Sequence, residues 1–443
     1  MIKRKITALK NDKNFREIFE GTIASFTLKI FGSGLAFLFN ILVARLLGAD
    51  GAGIYYLALA VSVVASILGR IGLDNTLLRS TSRYAVRGEW GKVRGIFNLA
   101  MKLTIILSGL LTVFLYLSAP AISEIIFNKP ELSAPLRWMS LSILPFAILN
   151  LQAESLKGLK HIREAMIVQT IGLPLLSILL VVPLSRYALT IGVVWAYVIA
   201  SFIVVLLGWW FWRNTLRVQS AGFEQYTVRE VWGICRNFFA IALMGSAFLP
   251  FAPVFFVGAF GSSVDVGVLS VASRVAALVS LLLATINNVT APKFSELYSK
   301  GDIIELERSA RSSSLLIACL ASPIILVLLI KAELVMGIFG PGFESGSKVL
   351  LVLMIGQSVN LLTGSSGYLL MMSGFENEFK KLTIVSISFL LLFSFLLVPT
   401  YGAYGAAIAT SIAMVFLNIG SLWVIDYKLG IRAVFWLPHS NRN

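Results

Sequence analysis

About twelve apolar segments of membrane-spanning length fill this 443-residue chain, and the second six resemble the first six. Roughly 20 apolar residues suffice to cross the hydrocarbon core as a helix. Within lipid no water is present to satisfy a free backbone, so each segment is expected to be helical. The expected spans are 21–46, 53–73, 95–118, 135–156, 164–184, 189–212, 233–258, 266–289, 310–330, 347–372, 381–399 and 404–426. The resulting fold class is an all-α polytopic membrane protein. It has about twelve transmembrane helices in two homologous six-helix bundles around a central cavity.

The repeat is read residue by residue. Gly53-Ile54 precedes the second span and Gly267-Val268 the eighth; Arg79 aligns with Lys293 and Tyr84 with Tyr298. Gly158 aligns with Gly374, Pro183 with Pro399, Tyr187 with Tyr401 and Gly192 with Gly405. An even number of spans per repeat gives both halves one orientation, related by an axis along the membrane normal. The domain division expected from this is a basic, amphipathic N-terminus over 1–20, a first lobe over 21–212, a linker over 213–232, a second lobe over 233–426 and a tail over 427–443.

Charge decides the threading. Only 13% of residues are charged, about half the soluble-domain average, yet the net charge is +15. Alternate connections carry 27 of the 37 basic residues, while the other side holds only Arg45, Lys129, Arg137, Arg186, Lys331 and Lys348. The positive-inside rule then places both termini in the cytoplasm of a multi-pass protein of the plasma or inner membrane. Excess positive charge on that side also suits anionic lipid headgroups, and no nucleic-acid module is present. The first twenty residues lack the short apolar core and cleavage site of a signal peptide. Cys235 and Cys319 form no disulfide or metal pattern and are expected as buried thiols.

The remaining four basic residues, Lys29, Arg70, Lys102 and Arg274, fall inside spans, where charge is costly and marks function by default. Ser270, Arg274, Leu278, Leu281, Thr285 and Asn288 recur at three- and four-residue steps and put a polar stripe on the eighth helix. Lys29, Ser33, Ala36 and Asn40 do the same on the first helix, and Tyr55, Ser62, Ser66 and Arg70 on the second. A guanidinium can grip an oxyanion with two parallel hydrogen bonds. Lys29, Arg70 and Lys102 lie near enough to span ends to snorkel instead. Gln357 and Asn360 sit one turn apart on the tenth helix and either line a cavity or bond across helices. Asp74, Asn75 and Arg79 are expected to form a local ion-paired cluster. Pro250 and Pro253 are expected to interrupt the seventh helix as a hinge or a tolerated kink.

The stretch Ala44-Arg45-Leu46-Leu47-Gly48-Ala49-Asp50-Gly51-Ala52-Gly53-Ile54-Tyr55, with Ile71-Gly72-Leu73 and a basic loop after it, resembles the opening of the polysaccharide and oligosaccharide flippase family. Glu154-Ser155-Leu156-Lys157-Gly158-Leu159-Lys160 and Tyr401-Gly402-Ala403-Tyr404-Gly405-Ala406-Ala407 fit the same family, within the superfamily that also holds multidrug extruders and lipid II flippases. The resemblance implies a transporter, not an enzyme. It implies translocation of a polyprenyl-pyrophosphate-linked oligosaccharide to the outer leaflet by alternating access, with membrane lipids and other polysaccharide-assembly proteins as partners. Within such a cavity the intramembrane charges and polar stripes read above make Arg274, Asn288, Lys29, Asn40, Arg70, Gln357 and Asn360 the candidate lining residues, and Arg45 and Arg79 candidate headgroup or gate contacts. No cofactor is expected; coupling to an ion gradient or the membrane potential stays open. A cation-coupled multidrug exporter, a lipid II flippase and a membrane glycan polymerase or ligase are the alternatives. The first and seventh spans lack the core carboxylate that multidrug extruders of the superfamily often use, and no catalytic or metal-binding set is visible.

Overall fold

The computed structural model describes residues 13–217, 233, 235, 238–240 and 242–437. Residues 1–12 of the expected amphipathic N-terminus, 218–232 of the expected linker and 438–443 of the expected tail lie outside the described residues. Every regular element among the described residues is helical.

Nine helices among the described residues are long and apolar enough to cross a membrane, or ten when the bent pair Pro130–Ser140 and Ile143–Gly158 is one span. Two of these are too long for one crossing. Helix α1 (Lys13–Arg70) carries a non-helical Gly48, at φ 68° and ψ −178°. Its apolar part, Thr27–Arg70, has 44 residues. At 1.5 Å per residue this is about 66 Å of helix, twice the hydrocarbon thickness. The 54-residue helix α12 (Glu376–Leu429) is broken in the same way at Gly402, at φ 52° and ψ −130°. Dividing both at their glycines gives twelve apolar segments, the number expected from the sequence.

Between these lie α2 (Leu73–Val86), α3 (Trp90–Ala121), α4 (Ile143–Gly158), α5 (Gly172–Ser185), α6 (Leu189–Arg217), α7 (Leu249–Phe260), α8 (Ser263–Ser299), α9 (Ile303–Ile330), α10 (Ser347–Leu362) and α11 (Ser366–Met372). Most helices outrun their expected spans, because the polar residues at the ends of an apolar run still propagate a helix. Helix α6 continues through Arg217, four residues past the expected start of the linker at 213. The tenth span, expected unbroken over 347–372, divides at Thr363–Ser365, where Gly364 adopts φ 63°. The second span divides at Ile71 and Gly72, at φ 42° and 78°. Pro250 stands in the first turn of α7, which follows directly on a π-helical stretch, Leu243–Phe248, and runs on through Pro253 to Phe260. Cys235 is buried as expected, but Cys319 is exposed, on the same apolar outer surface of α9 as Leu315, Leu316 and Leu320.

The repeat is visible in the backbone. Left-handed turns recur at Gly88 and Gly301, at Asn128 and Gly342, and at Lys160 and Gly374. By this register Gly374 corresponds to Lys160, two residues from the sequence alignment with Gly158. Glycine adopts such a turn without strain, whereas a β-carbon costs about 1–2 kcal/mol.

Contacts divide the chain into two compact units, Met1–Leu46 with Ala58–Leu243, and Leu47–Leu57 with Met244–Asn443. The segment Leu47–Leu57 falls in the first lobe by sequence but groups with the second unit. In the first unit Leu77, Phe97, Leu151 and Trp212 are core residues. Phe97 stacks on Trp212 at 3.8 Å between ring centroids, and Trp212 Nε1 donates to Ser155 Oγ at 3.2 Å. In the second unit Phe294, Leu306, Leu370 and Ile425 form a core that also takes Ile431 and Ala433 from the tail. The chain turns at Gly430, φ 61°, and the tail then lies back on the unit. Phe435 accepts from Arg311 and donates to Ser314, and Trp436 Nε1 donates to the Leu362 carbonyl that ends α10.

The break at Gly402 is held by Asp265. Asp265 Oδ2 accepts from the backbone N–H and hydroxyl of Ser262 at 3.0 and 2.6 Å and caps α8. Its Oδ1 accepts from the Ala403 N–H at 3.4 Å. A β-carbon on Gly402 would meet the Asp265 carboxylate at 2.9–3.0 Å, whereas one on Gly48 would meet nothing within 4 Å. We therefore expect Gly402→Ala to cost more than Gly48→Ala, whose penalty is its glycine-only backbone conformation alone, about 1–3 kcal/mol. Thermal melts of the two purified variants test this; equal losses would show that Asp265 yields freely.

Candidate functional site

In the second unit the expected stripe on α8 centres on Arg274. The half-buried guanidinium lies over the ring of Tyr56, 4.1 Å from its centroid, and Nη1 donates to the Ser270 carbonyl at 3.0 Å. Tyr56 itself is buried. A cation over an electron-rich face is attracted by the ring quadrupole, more strongly where water is excluded. Arg274 carries five N–H donors, and Ser270 is their one hydrogen-bond partner among the described residues. The arrangement holds the guanidinium against the ring and leaves donors for an anion.

Further along α8, Ser280 donates to Gln357 Oε1 of α10 at 2.8 Å, and Asn360 Nδ2 donates to the same oxygen at 3.3 Å. Thr363 Oγ1, at the end of α10, donates to Asn418 Oδ1 of α12 at 3.1 Å. Gln357 and Asn360 are thus brought together, and they tie α8 to α10. Asn288 is exposed at the far end of the stripe, while its neighbour Asn287 is buried with an Oδ1 that has no partner among the described residues. The sequence gives the pair as Asn287-Asn288 without distinguishing them; the phase of α8 turns Asn287 inward.

In the first unit Arg70 is buried, and Nη1 pairs with Asp74 Oδ2 at 3.1 Å. Its Nε donates to the Ser66 carbonyl at 3.3 Å. Nearby on α4, Glu154 pairs with Lys157 at 2.7 Å and accepts from Gln169 Nε2 at 3.2 Å. Gln169 also donates to Asn150 Oδ1 at 3.2 Å, and it projects from a π-helical turn, Ile167–Ile171. Such a turn shifts the side chains that follow and often marks function. Glu154 acts electrostatically on Arg70. Arg70 therefore sits in a network of both signs, and Asp74 turns to it and not to Arg79, which is exposed. Nothing in the spacing of residues 150, 154 and 169 announces this network, since the extra residue of a π turn leaves no fixed pattern.

Of the other expected site residues, Lys29 and Lys102 are exposed along their helices, Arg45 is exposed at the end of the first span, and Asn40 donates to the Ala36 carbonyl at 2.6 Å. Among the described residues no cluster of His, Cys, Asp or Glu could hold a metal ion.

Residues 18–298, more than half of the chain, match the family described as polysaccharide biosynthesis protein. A probable low-salt glycan biosynthesis flippase of Haloferax volcanii is 24% identical over 414 residues, covering 90% of this chain and 81% of that protein. An inward-facing structure of a multidrug resistance transporter of the MATE family and MOP superfamily shares the fold with a TM-score of 0.73. It is 14% identical, and the match covers 92% of this chain and 98% of that one. The lipid II flippase MurJ, in an inward closed conformation, gives a TM-score of 0.72 at 13% identity, covering 91% of this chain and 87% of that one.

Proposed function

The chain belongs to the polysaccharide biosynthesis protein family, and from that premise we propose that it is a flippase for a polyprenyl-pyrophosphate-linked oligosaccharide. The headgroup of such a lipid cannot cross hydrocarbon unaided, because stripping water from sugar hydroxyls and a pyrophosphate is prohibitive without replacement partners. The observation that carries the proposal is Arg274: a guanidinium within a span, oriented by the Tyr56 ring, with donors left for an oxyanion. Gln357 and Asn360 offer amides of the kind that bind sugar hydroxyls. In this reading the headgroup passes from the cytoplasmic to the outer leaflet by alternating access while the lipid tail stays in the bilayer. The similarity to a glycan biosynthesis flippase over most of both chains supports the substrate class.

The test is translocation of a fluorescent polyprenyl-pyrophosphate oligosaccharide in proteoliposomes, compared with empty vesicles. Protein-dependent flipping is expected, and imposed ion gradients then identify any coupling. Absence of flipping across several headgroups, by protein verified as folded, would redirect the assignment to export of drugs or other small molecules.

A further inference from the structure

Two glycines that the internal repeat relates to each other meet in space. A β-carbon on Gly53 would overlap the carbonyl oxygen of Ser263 and approach the Gly267 nitrogen at 3.0 Å. A β-carbon on Gly267 would overlap the carbonyl oxygen of Ala49 and approach the Gly53 nitrogen at 3.2 Å. Each glycine thus faces the carbonyl four residues before the other, so the contact obeys the repeat symmetry. Both lie in the second unit, which takes the short segment Leu47–Leu57 out of a helix otherwise belonging to the first. Three residues past Gly53 on that segment, Tyr56 lies under Arg274. Glycines permit helices to approach until backbones touch.

We propose that Gly53 and Gly267 form a separable crossing whose closure seats Arg274 on Tyr56, making Tyr56 a positioning residue for the headgroup-binding guanidinium. The role of Arg274 rests on the proposed function; the crossing does not. When the crossing is closed, the ring holds the guanidinium plane. When it opens, Tyr56 moves away with its segment and Arg274 is released, so binding and release of an anion follow the state of the crossing.

Asp50 and Val264 are exposed, repeat-related and adjacent to the contact, which makes them sites for spin labels. In lipid nanodiscs we expect the labelled protein to show a short and a long distance between positions 50 and 264. Gly53→Ala and Gly267→Ala should each lose the short population. Gly34→Ala, whose β-carbon would meet nothing within 4 Å, should keep it. A single short distance in the protein with both glycines intact overturns the proposal even if the alanine variants fail to fold. So does an unchanged distribution in folded alanine variants. For Tyr56, Tyr56→Leu should reduce flipping about tenfold and Tyr56→Phe should restore it, because the ring face and not the hydroxyl positions Arg274; equal flipping by both variants overturns that half. Normal flipping by Arg274→Ala would remove the headgroup reading and leave the crossing to be judged on distances alone.

Discussion

Replacing Arg274 with alanine is expected to slow headgroup translocation between about tenfold and a hundredfold while insertion and thermal stability stay close to normal. A hydrogen bond to a charged group contributes about 1.5–3 kcal/mol, and about 1.4 kcal/mol corresponds to a factor of ten. Only modest stability should be lost, because the side chain is half-buried and its contacts within the protein are one bond to the Ser270 carbonyl of its own helix and the face of the Tyr56 ring. Arg274→Lys separates charge from geometry. Lysine keeps the positive charge and can still sit over Tyr56, but it lacks the planar fork that grips two phosphate oxygens. We expect it to recover only part of the activity. The measurement is the initial flipping rate in proteoliposomes at matched protein density, with a melt of each variant as a folding control. An Arg274→Ala rate equal to that of the unmodified protein would sink the headgroup contact.

The spans were legible in the sequence because lipid imposes one rule on all of them: long, apolar and helical. The connections were less legible. Where a break is made by a lone glycine, as at Gly48, Gly72, Gly364 and Gly402, the apolar pattern runs through it unchanged. The glycine is visible but its backbone angle is not, and most glycines in these helices serve close packing instead. Gly69 admits Ser108, and Gly208 admits Gln152, with no change of direction. The repeat was legible from matched residues. Its register at the fourth connection was not, because Lys160 in the first half adopts the left-handed turn that Gly374 makes in the second.

The site divides in the same way. Arg274 stands out because an arginine inside an apolar run has few bland explanations, and helical spacing places Gln357 beside Asn360. Tyr56 does not stand out. Its neighbour Tyr55 falls on the expected stripe, and only the docking of Leu47–Leu57 on the second unit brings Tyr56 to Arg274. A contact across more than two hundred residues, set by two glycines touching backbones, has no signature in local periodicity. Arg70 is the converse case. Its position points to a cavity-lining or snorkelling cation, yet Asp74, on a separate helix past the break at Ile71 and Gly72, lies against it.

That pair should respond strongly to loss of one member. Asp74→Ala is expected to destabilise the first unit by about 3 kcal/mol, at the low end for breaking a buried ion pair, because a charge is left without its partner. The side chains of Arg70 and Asp74 are only 10% and 19% exposed, so water cannot readily replace the missing carboxylate. Glu154 remains near enough to act on Arg70, which keeps the loss from being larger. Adding Arg70→Met removes the stranded charge and fills the same volume with an apolar chain. The double variant should therefore be more stable than Asp74→Ala alone, since an apolar replacement of a buried pair is often neutral. Melting temperatures of the unmodified protein, Asp74→Ala, Arg70→Met and the double variant in nanodiscs form the cycle that isolates the pair. If the second substitution lowers stability further, the arginine finds adequate partners in Ser66 and Glu154 alone, and Asp74 is no more than a neighbour.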